Sequence, residues 1–293
     1  MHKYLRAIGF SKFENRKQLK ALLTEVVVNS TSRAYTTGQD DIMLGEFCKD
    51  FAENMGIAVC GEFDEENDDK FIYDYYYPYL RGTGITSTED VSVERHAAKE
   101  SYAGVCDEMR LGVTLIFYLQ NVADFLSEHR HNIQVKGLRG VYLSALSVDG
   151  TILLPIQEKV FEKQSVNKRY EKRNQLIAEA REGNEEAIDN LTLHDMDIYN
   201  SLSKRIKKED IFSIVRTTFM PYGIESDQYC VIGEIIEIEE VENKFTGEKL
   251  YVMMLESNDI TFKVTINKKD LLGEPAIGRR YKGVVWMQGS VCL

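Results

Sequence analysis

Proline and tryptophan are scarce in this chain, with four prolines and one tryptophan in 293 residues. So little proline excludes a polyproline spacer or a Pro-rich tail. Cysteine is sparse and scattered. Cys48, Cys60, Cys106, Cys230 and Cys292 are odd in number and no two form a Cys-x-x-Cys pair. A disulfide framework and a structural zinc site are thereby disfavoured, and reduced, mostly buried thiols in a cytoplasmic protein are expected. No apolar run approaches the ~18–20 residues that span a bilayer. The opening Met1-His2-Lys3-Tyr4-Leu5-Arg6 has no apolar signal stretch, so neither membrane nor secretion is expected. The glycosylation sequons at Asn29 and Asn190 then carry no meaning. Positive charge is also short: 36 Lys and Arg against 47 Asp and Glu, a formal net of −11. Such a field repels nucleic acid and anionic membrane unless a local basic face overrides it.

What is present is a chain long enough for two cores, with 43% hydrophobic and 10% aromatic residues. Tyr4–Ile8 reads as a short strand. Asn15 caps a helix over 16–28, in which Leu19, Leu22, Leu23 and Val26 recur at helical spacing. A second helix is expected over 43–55, with Leu44, Phe47 and Phe51 on one face and Gly56 closing it. The period then becomes alternating. Strands at 57–63 and 71–80 flank the acidic run Asp64–Asp69 as a hairpin, and further strands are expected at 91–98, 103–107 and 111–119. A short helix over 122–129 precedes strands 138–148 and 151–156, joined across Asp149-Gly150.

Residues 157–208 are polar and helix-favouring, with a narrow stripe at Tyr170, Ile177 and Ala180. A capped start at Thr192 and Asp195 leads into Ile198, Leu202 and Ile206. Residues 211–222 are ambiguous between helix and strand. From Tyr229 onward, strands at 231–241, 249–256, 260–266 and 281–287 alternate with the turns Asn243–Gly247 and Asn258-Asp259. The expected fold is α+β: a mostly antiparallel sheet with helices over 1–156, a helical connector over 157–228, and a small OB-like or SH3-like β-barrel over 229–293.

Two clusters are candidates for contact with a ligand or partner. In a strand, Phe71, Tyr73, Tyr75, Tyr77 and Tyr79 share one face and form an aromatic row. It either stacks on bases or sugars, or covers a core with its hydroxyls in water, the simpler reading. Arg279, Arg280 and Lys282 beside Trp286 form a compact cationic-aromatic group that could grip an anion or a single strand, or be local ion pairs around a buried ring. Gly82-Thr83-Gly84 lacks the third glycine and following helix of a phosphate loop. Asp64–Asp69 lacks the central glycine of a calcium loop. His129 and His131 are two apart, which does not suit a helical metal pair, and a Cys106–His96 dyad is no more than chance expects. No metal and no cofactor are expected.

The segments Met1–Phe10, Glu209–Val215 through Met220-Pro221-Tyr222-Gly223, and Gly273-Glu274-Pro275 with Gly278–Gly283 resemble an uncharacterised domain-of-unknown-function family of anaerobic Gram-positive bacteria. The resemblance implies a bacterial cytoplasmic protein and supplies no activity or site. The expected function is therefore non-catalytic binding of a protein or small molecule, as a monomer or homodimer. A single-stranded nucleic-acid binder and a hydrolase with a site between domains are the alternatives.

Overall fold

The structure, a computed structural model, describes all residues except 39–41, 65–69, 96–100, 130–137, 157–174, 181–182, 194–195, 197–209 and 225. Expectations at Asp64–Asp69, His96, His131, Tyr170, Asp195, Ile198, Leu202 and Ile206 therefore fall wholly or mainly outside the described residues.

Asn15 starts helix α1 (Arg16–Val28) as its side chain accepts from the Gln18 amide at 2.9 Å. Such a cap contributes about 1 kcal/mol. Leu22, Leu23 and Val26 make its buried face. Tyr4–Ile8, expected as a strand, lies instead within a 3-10 helix, Lys3–Ile8, that closes on Gly9 in the left-handed region at φ 93°. Tyr4, Leu5, Ala7 and Ile8 are all buried, which a half-exposed strand does not allow.

Strands β1 (Ser32–Thr37), β2 (Met43–Ala52), β3 (Met55–Asp64) and β4 (Lys70–Leu80) form an antiparallel meander. The helix expected over 43–55 is thus a strand pair, turning at Asn54 with φ 56°. Leu44 and Phe51, which helical spacing put on one face, pack in different cores. Gly56, read as a helix stop, is a point of close strand approach: a Cβ there would lie 1.9 Å from the Lys49 carbonyl.

The larger sheet contains β5 (Ser87–Arg95), β6 (Tyr102–Glu108), β7 (Val113–Leu119) and β8 (Leu138–Leu153) from the first half. To these the second half adds β9 (Thr218–Pro221), β10 (Gln228–Glu242), β11 (Lys249–Ser257), β12 (Ile260–Asn267), β13 (Leu271–Leu272) and β14 (Arg280–Val291). Its order is β11-β12-β8-β5-β6-β7-β14-β10-β9, with β10 also paired to β11 and β8 to β14. Helix α2 (Val122–His129) follows β7. Strand β8 runs unbroken through Asp149-Gly150, so the expected hairpin is absent. Gly150 sits there because the Tyr281 ring would meet a Cβ at 2.5 Å.

The terminal strands do not stand apart. β12 pairs in parallel with β8 (Val264 opposite Ala145), and β14 with β7 (Gln288 opposite Tyr118). The boundary expected at 229 is accordingly corrected: Met1–Ile152 and Thr218–Leu293 make one compact unit and Leu153–Thr217 a second. Alternation within each strand was legible, but the partner strand was not. The fold is α+β and rich in strands. The second unit contains helical segments at 175–180 and 185–193. Asn184 caps the latter through the Ala187 amide, and a one-turn helix, Ile211–Ile214, follows.

The first unit has two cores. One, lined by Phe117, Val231, Met253, Leu255, Phe262, Tyr281 and Met287, fills the larger sheet. The other joins α1, the 3-10 helix and the four-stranded sheet to Leu146, Leu250 and Trp286 of the larger sheet. An amide clasp ties β4 to that sheet. Gln288 accepts from the Leu80 amide at 3.2 Å and donates to the Pro78 carbonyl at 2.8 Å, while Gln120 donates to the Leu80 carbonyl at 2.9 Å.

Candidate functional site

On one face of the four-stranded sheet, Glu46 and Cys48 of β2 and Tyr77 and Tyr79 of β4 point toward the start of α2. Together with Ser32 of β1, Arg81, Gln120, Asp124 of α2 and Ser290, they line a cleft of about 380 Å³. The antiparallel registers put these side chains on the same face: Glu46 lies opposite Cys60, which lies opposite Tyr75.

Tyr77 donates to Glu46 Oε1 at 2.6 Å and reaches the Gln120 carbonyl at 3.3 Å. Part of Glu46 borders the cleft, yet its carboxyl is closely surrounded. Burial pushes the carboxyl up from its ordinary range, and the Tyr77 hydrogen bond, the charge of Arg81 and the Cys48 thiol only partly offset this, while nearby Asp124 adds to it. Burial, with Glu46 next in effect, raises the Tyr77 hydroxyl well above its usual value, so it stays a donor. Burial and then the Glu46 charge push the Cys48 thiol up to about 12. At neutral pH it is a thiol, not a nucleophilic thiolate.

At the mouth, Arg81 stands 4.8 Å from the centre of the Tyr79 ring and 3.8 Å from Asp50, to which Tyr79 donates. Arg81 is thus held by Asp50 and the Tyr79 ring. The Arg33 guanidinium is committed to Ser30, the Val28 carbonyl and the Phe47 ring.

The tyrosine row is broken. The register slips between Cys60–Tyr75 and Gly61–Tyr73, so Asp74 is the extra residue of a β-bulge. Tyr75, Tyr77 and Tyr79 face one way. Phe71 and Tyr73 turn with Tyr76 toward α1, lining a separate groove of about 880 Å³ with Leu19, Leu23 and Val59. Tyr73 is 53% exposed, whereas Tyr77 and Tyr79 are buried in the second core. Tyr75 borders a small cavity of about 40 Å³ beside Glu46 and Cys60.

The cationic-aromatic group does not assemble as a surface. Trp286 is 5% exposed, stacked on Tyr4 at 5.2 Å and bonded through its indole N–H to Asp227 at 2.6 Å. Arg280 is buried opposite Glu234, and desolvation lowers its pKa. Lys282 lies opposite Ile232, and Arg279 donates to the Glu274 carbonyl at 2.6 Å. Glu46, Arg81 and Gln120 were not singled out from the sequence. The one signal was an acidic residue within Leu44-Gly45-Glu46-Phe47-Cys48, an otherwise apolar stretch read there at the wrong period.

Among the described residues no group of three or more His, Cys, Asp or Glu is placed to hold a metal ion, and no helix is long and apolar enough to cross a membrane. No curated protein and no solved structure matches the chain. Residues 5–289 match a family described as a domain of unknown function from an E. rectale gene (DUF3881). That span agrees with the resemblance carried by the terminal segments, and the chain belongs to this family.

Proposed function

We propose that the protein is a non-catalytic binding protein whose cleft between β1, β2, β4 and the start of α2 takes a small polar ligand. The observation that carries this reading is the Glu46 carboxyl, held by Tyr77 inside a cleft with Arg81 at its mouth. A polar group kept inside a fold at a cost, beside space of ligand size, is what a small-molecule site requires. The raised Cys48 thiol argues against nucleophilic chemistry there. Burial of Trp286 removes the stacking surface that a single-stranded nucleic acid would need.

We also infer that β8, β10, β11, β12 and β14 close as a small barrel. The pairing path β10-β11-β12-β8-β14 returning to β10 supports this. Five free cysteines support a reducing, cytoplasmic setting.

A thermal-shift screen of polar metabolites against the full chain tests the ligand reading. At least one compound is expected to raise Tm in the wild type and to do so much less in Glu46→Gln. Silence across the screen, with turnover in a hydrolase panel, overturns it.

A further inference from the structure

Two acceptors in the cleft lack what would complete them. The first is Gln120, 9% exposed, whose side-chain Oε1 has no hydrogen-bond donor. Its amide cannot simply be turned round. The Leu80 amide donates to Gln288 Oε1, and Gln288 Nε2 donates to the Pro78 carbonyl, which fixes Gln288. Gln288 then presents an oxygen to Gln120 at 3.0 Å, and the Leu80 carbonyl presents another at 2.9 Å. Only Nε2 of Gln120 can face those two acceptors, so Oε1 is the orphan.

The second acceptor is the Glu46 carboxylate. Tyr77 and the Cys48 thiol act on it as neutral donors, and no described cation lies within ion-pair distance of it. Arg81, whose charge acts on it, is engaged with Asp50 and the Tyr79 ring. Asp124 of α2, exposed and on the same cleft, adds a further negative charge. A buried acceptor left without a donor is costly, and more so when it is ionised. Both residues line the one cleft.

We propose that the cleft recognises a ligand through a primary ammonium group, with Glu46, Gln120 and Asp124 as its acceptors. This rests on the ligand-binding reading above and names the chemistry of its ligand. An ammonium carries three N–H donors and a positive charge, which matches one charged acceptor, one neutral orphan and one exposed carboxylate. A carboxylate or phosphate ligand would satisfy neither Glu46 nor Gln120 and would meet Asp124 as a like charge. The cleft of about 380 Å³ admits a ligand of several heavy atoms but not a folded partner.

Calorimetric titration of the full-length protein with putrescine, agmatine and a lysine-like amino acid tests this at pH 8. The uncharged alcohol analogues and short dicarboxylates serve as comparisons. At least one amine is expected to bind, and its alcohol analogue to bind at least tenfold more weakly. Glu46→Gln should weaken the amine at least tenfold and Asp124→Asn severalfold; the latter changes an exposed residue and leaves the fold intact. Amine binding unchanged in both variants overturns the inference. Binding of dicarboxylates but not amines overturns the ammonium assignment and leaves the cleft as a binding site. Binding of none of the probes overturns the ammonium assignment, and with no response in the wider metabolite screen it overturns the binding reading too.

Discussion

Glu108 and Glu46 are both acidic residues set into β-structure, and their surroundings treat them in opposite ways. Glu108, at the end of β6, is 1% exposed and faces Arg110, which donates to it from Nε at 2.8 Å and from Nη2 at 2.6 Å. The same guanidinium reaches the Asp259 and Thr86 carbonyls at 2.9 and 2.8 Å, tying the β6–β7 turn to β12 and β5. Burial alone would raise Glu108, but the Arg110 hydrogen bonds outweigh it and its pKa falls. At Glu46 burial wins, because its donors are a hydroxyl and a thiol and no cation forms an ion pair with it. One carboxylate has been completed by the chain itself, so it serves the fold. The other is left incomplete at the edge of a cavity, which is the condition in which a bound molecule can supply the missing charge.

The largest effect should come from breaking the completed pair. Arg110→Ala leaves a buried carboxylate without its cation and frees two carbonyls; a loss of about 3 kcal/mol is expected by urea unfolding at pH 7. A loss under about 1 kcal/mol would mean that the pair is decoration and the contrast fails.

An effect that reaches a similar size only at the acid end, and is smaller near neutral pH, comes from His2, a second incomplete group. Its Nδ1 has no partner, its ring lies 4.8 Å from that of Trp286, and burial, helped by Lys3 and the chain amine, lowers its pKa to about 4. The folded value is depressed below 6.5, so the unfolded chain takes up the proton first. Stability is therefore lost as pH falls from 6.5 toward 4, by up to about 3 kcal/mol at the lower end. Replacing His2 by Phe should flatten that acid limb in a Tm-against-pH series; an unchanged slope would show that the imidazole is hydrated.

The smallest effect should be at Glu46 itself. Its folded pKa is raised, so its contribution is complete below about 4.5 and declines as pH rises through the folded value. Glu46→Gln keeps an acceptor for Tyr77 and removes the charge. It should raise the unfolding free energy at pH 8 by an amount on the order of 1 kcal/mol, seen as a higher Tm, and change little at pH 4. Loss of stability at pH 8 would mean that the carboxylate is already satisfied.

The parts of this architecture legible from sequence are those set by near neighbours. Asn15 and α1 followed from a cap and a 3.6-residue period, and the Asn258-Asp259 turn from two residues that tolerate positive φ, observed at 50° and 62°. The strands β10, β11, β12 and β14 followed from alternation. What was lost depended on distant partners. Leu44, Phe47 and Phe51 fit a helix until β3 is laid beside them. The tyrosine row was sound in period but was cut by one bulged residue, Asp74, which no local pattern announces. Arg280 and Trp286 read as a surface group because their cover comes from other parts of the chain, including Tyr4 near the amino terminus. The cleft escaped for the same reason: Glu46, Arg81 and Gln120 are separate in sequence and meet only through the registers of β2 and β4 and the Gln288 clasp.

The parallel pairing of β14 with β7 has a consequence for synthesis. Gln288 and Gly289 lie opposite Tyr118 and Leu119, so this flank of β7 gains its neighbour only once that distant stretch of chain has left the ribosome. Until then the first half of the nascent chain presents an unfinished, apolar strand border, the kind of edge that invites association with other chains. Contacts spanning so much of the polypeptide form slowly, and shielding by a holding chaperone during translation would suit this protein more than a self-sufficient amino-terminal half.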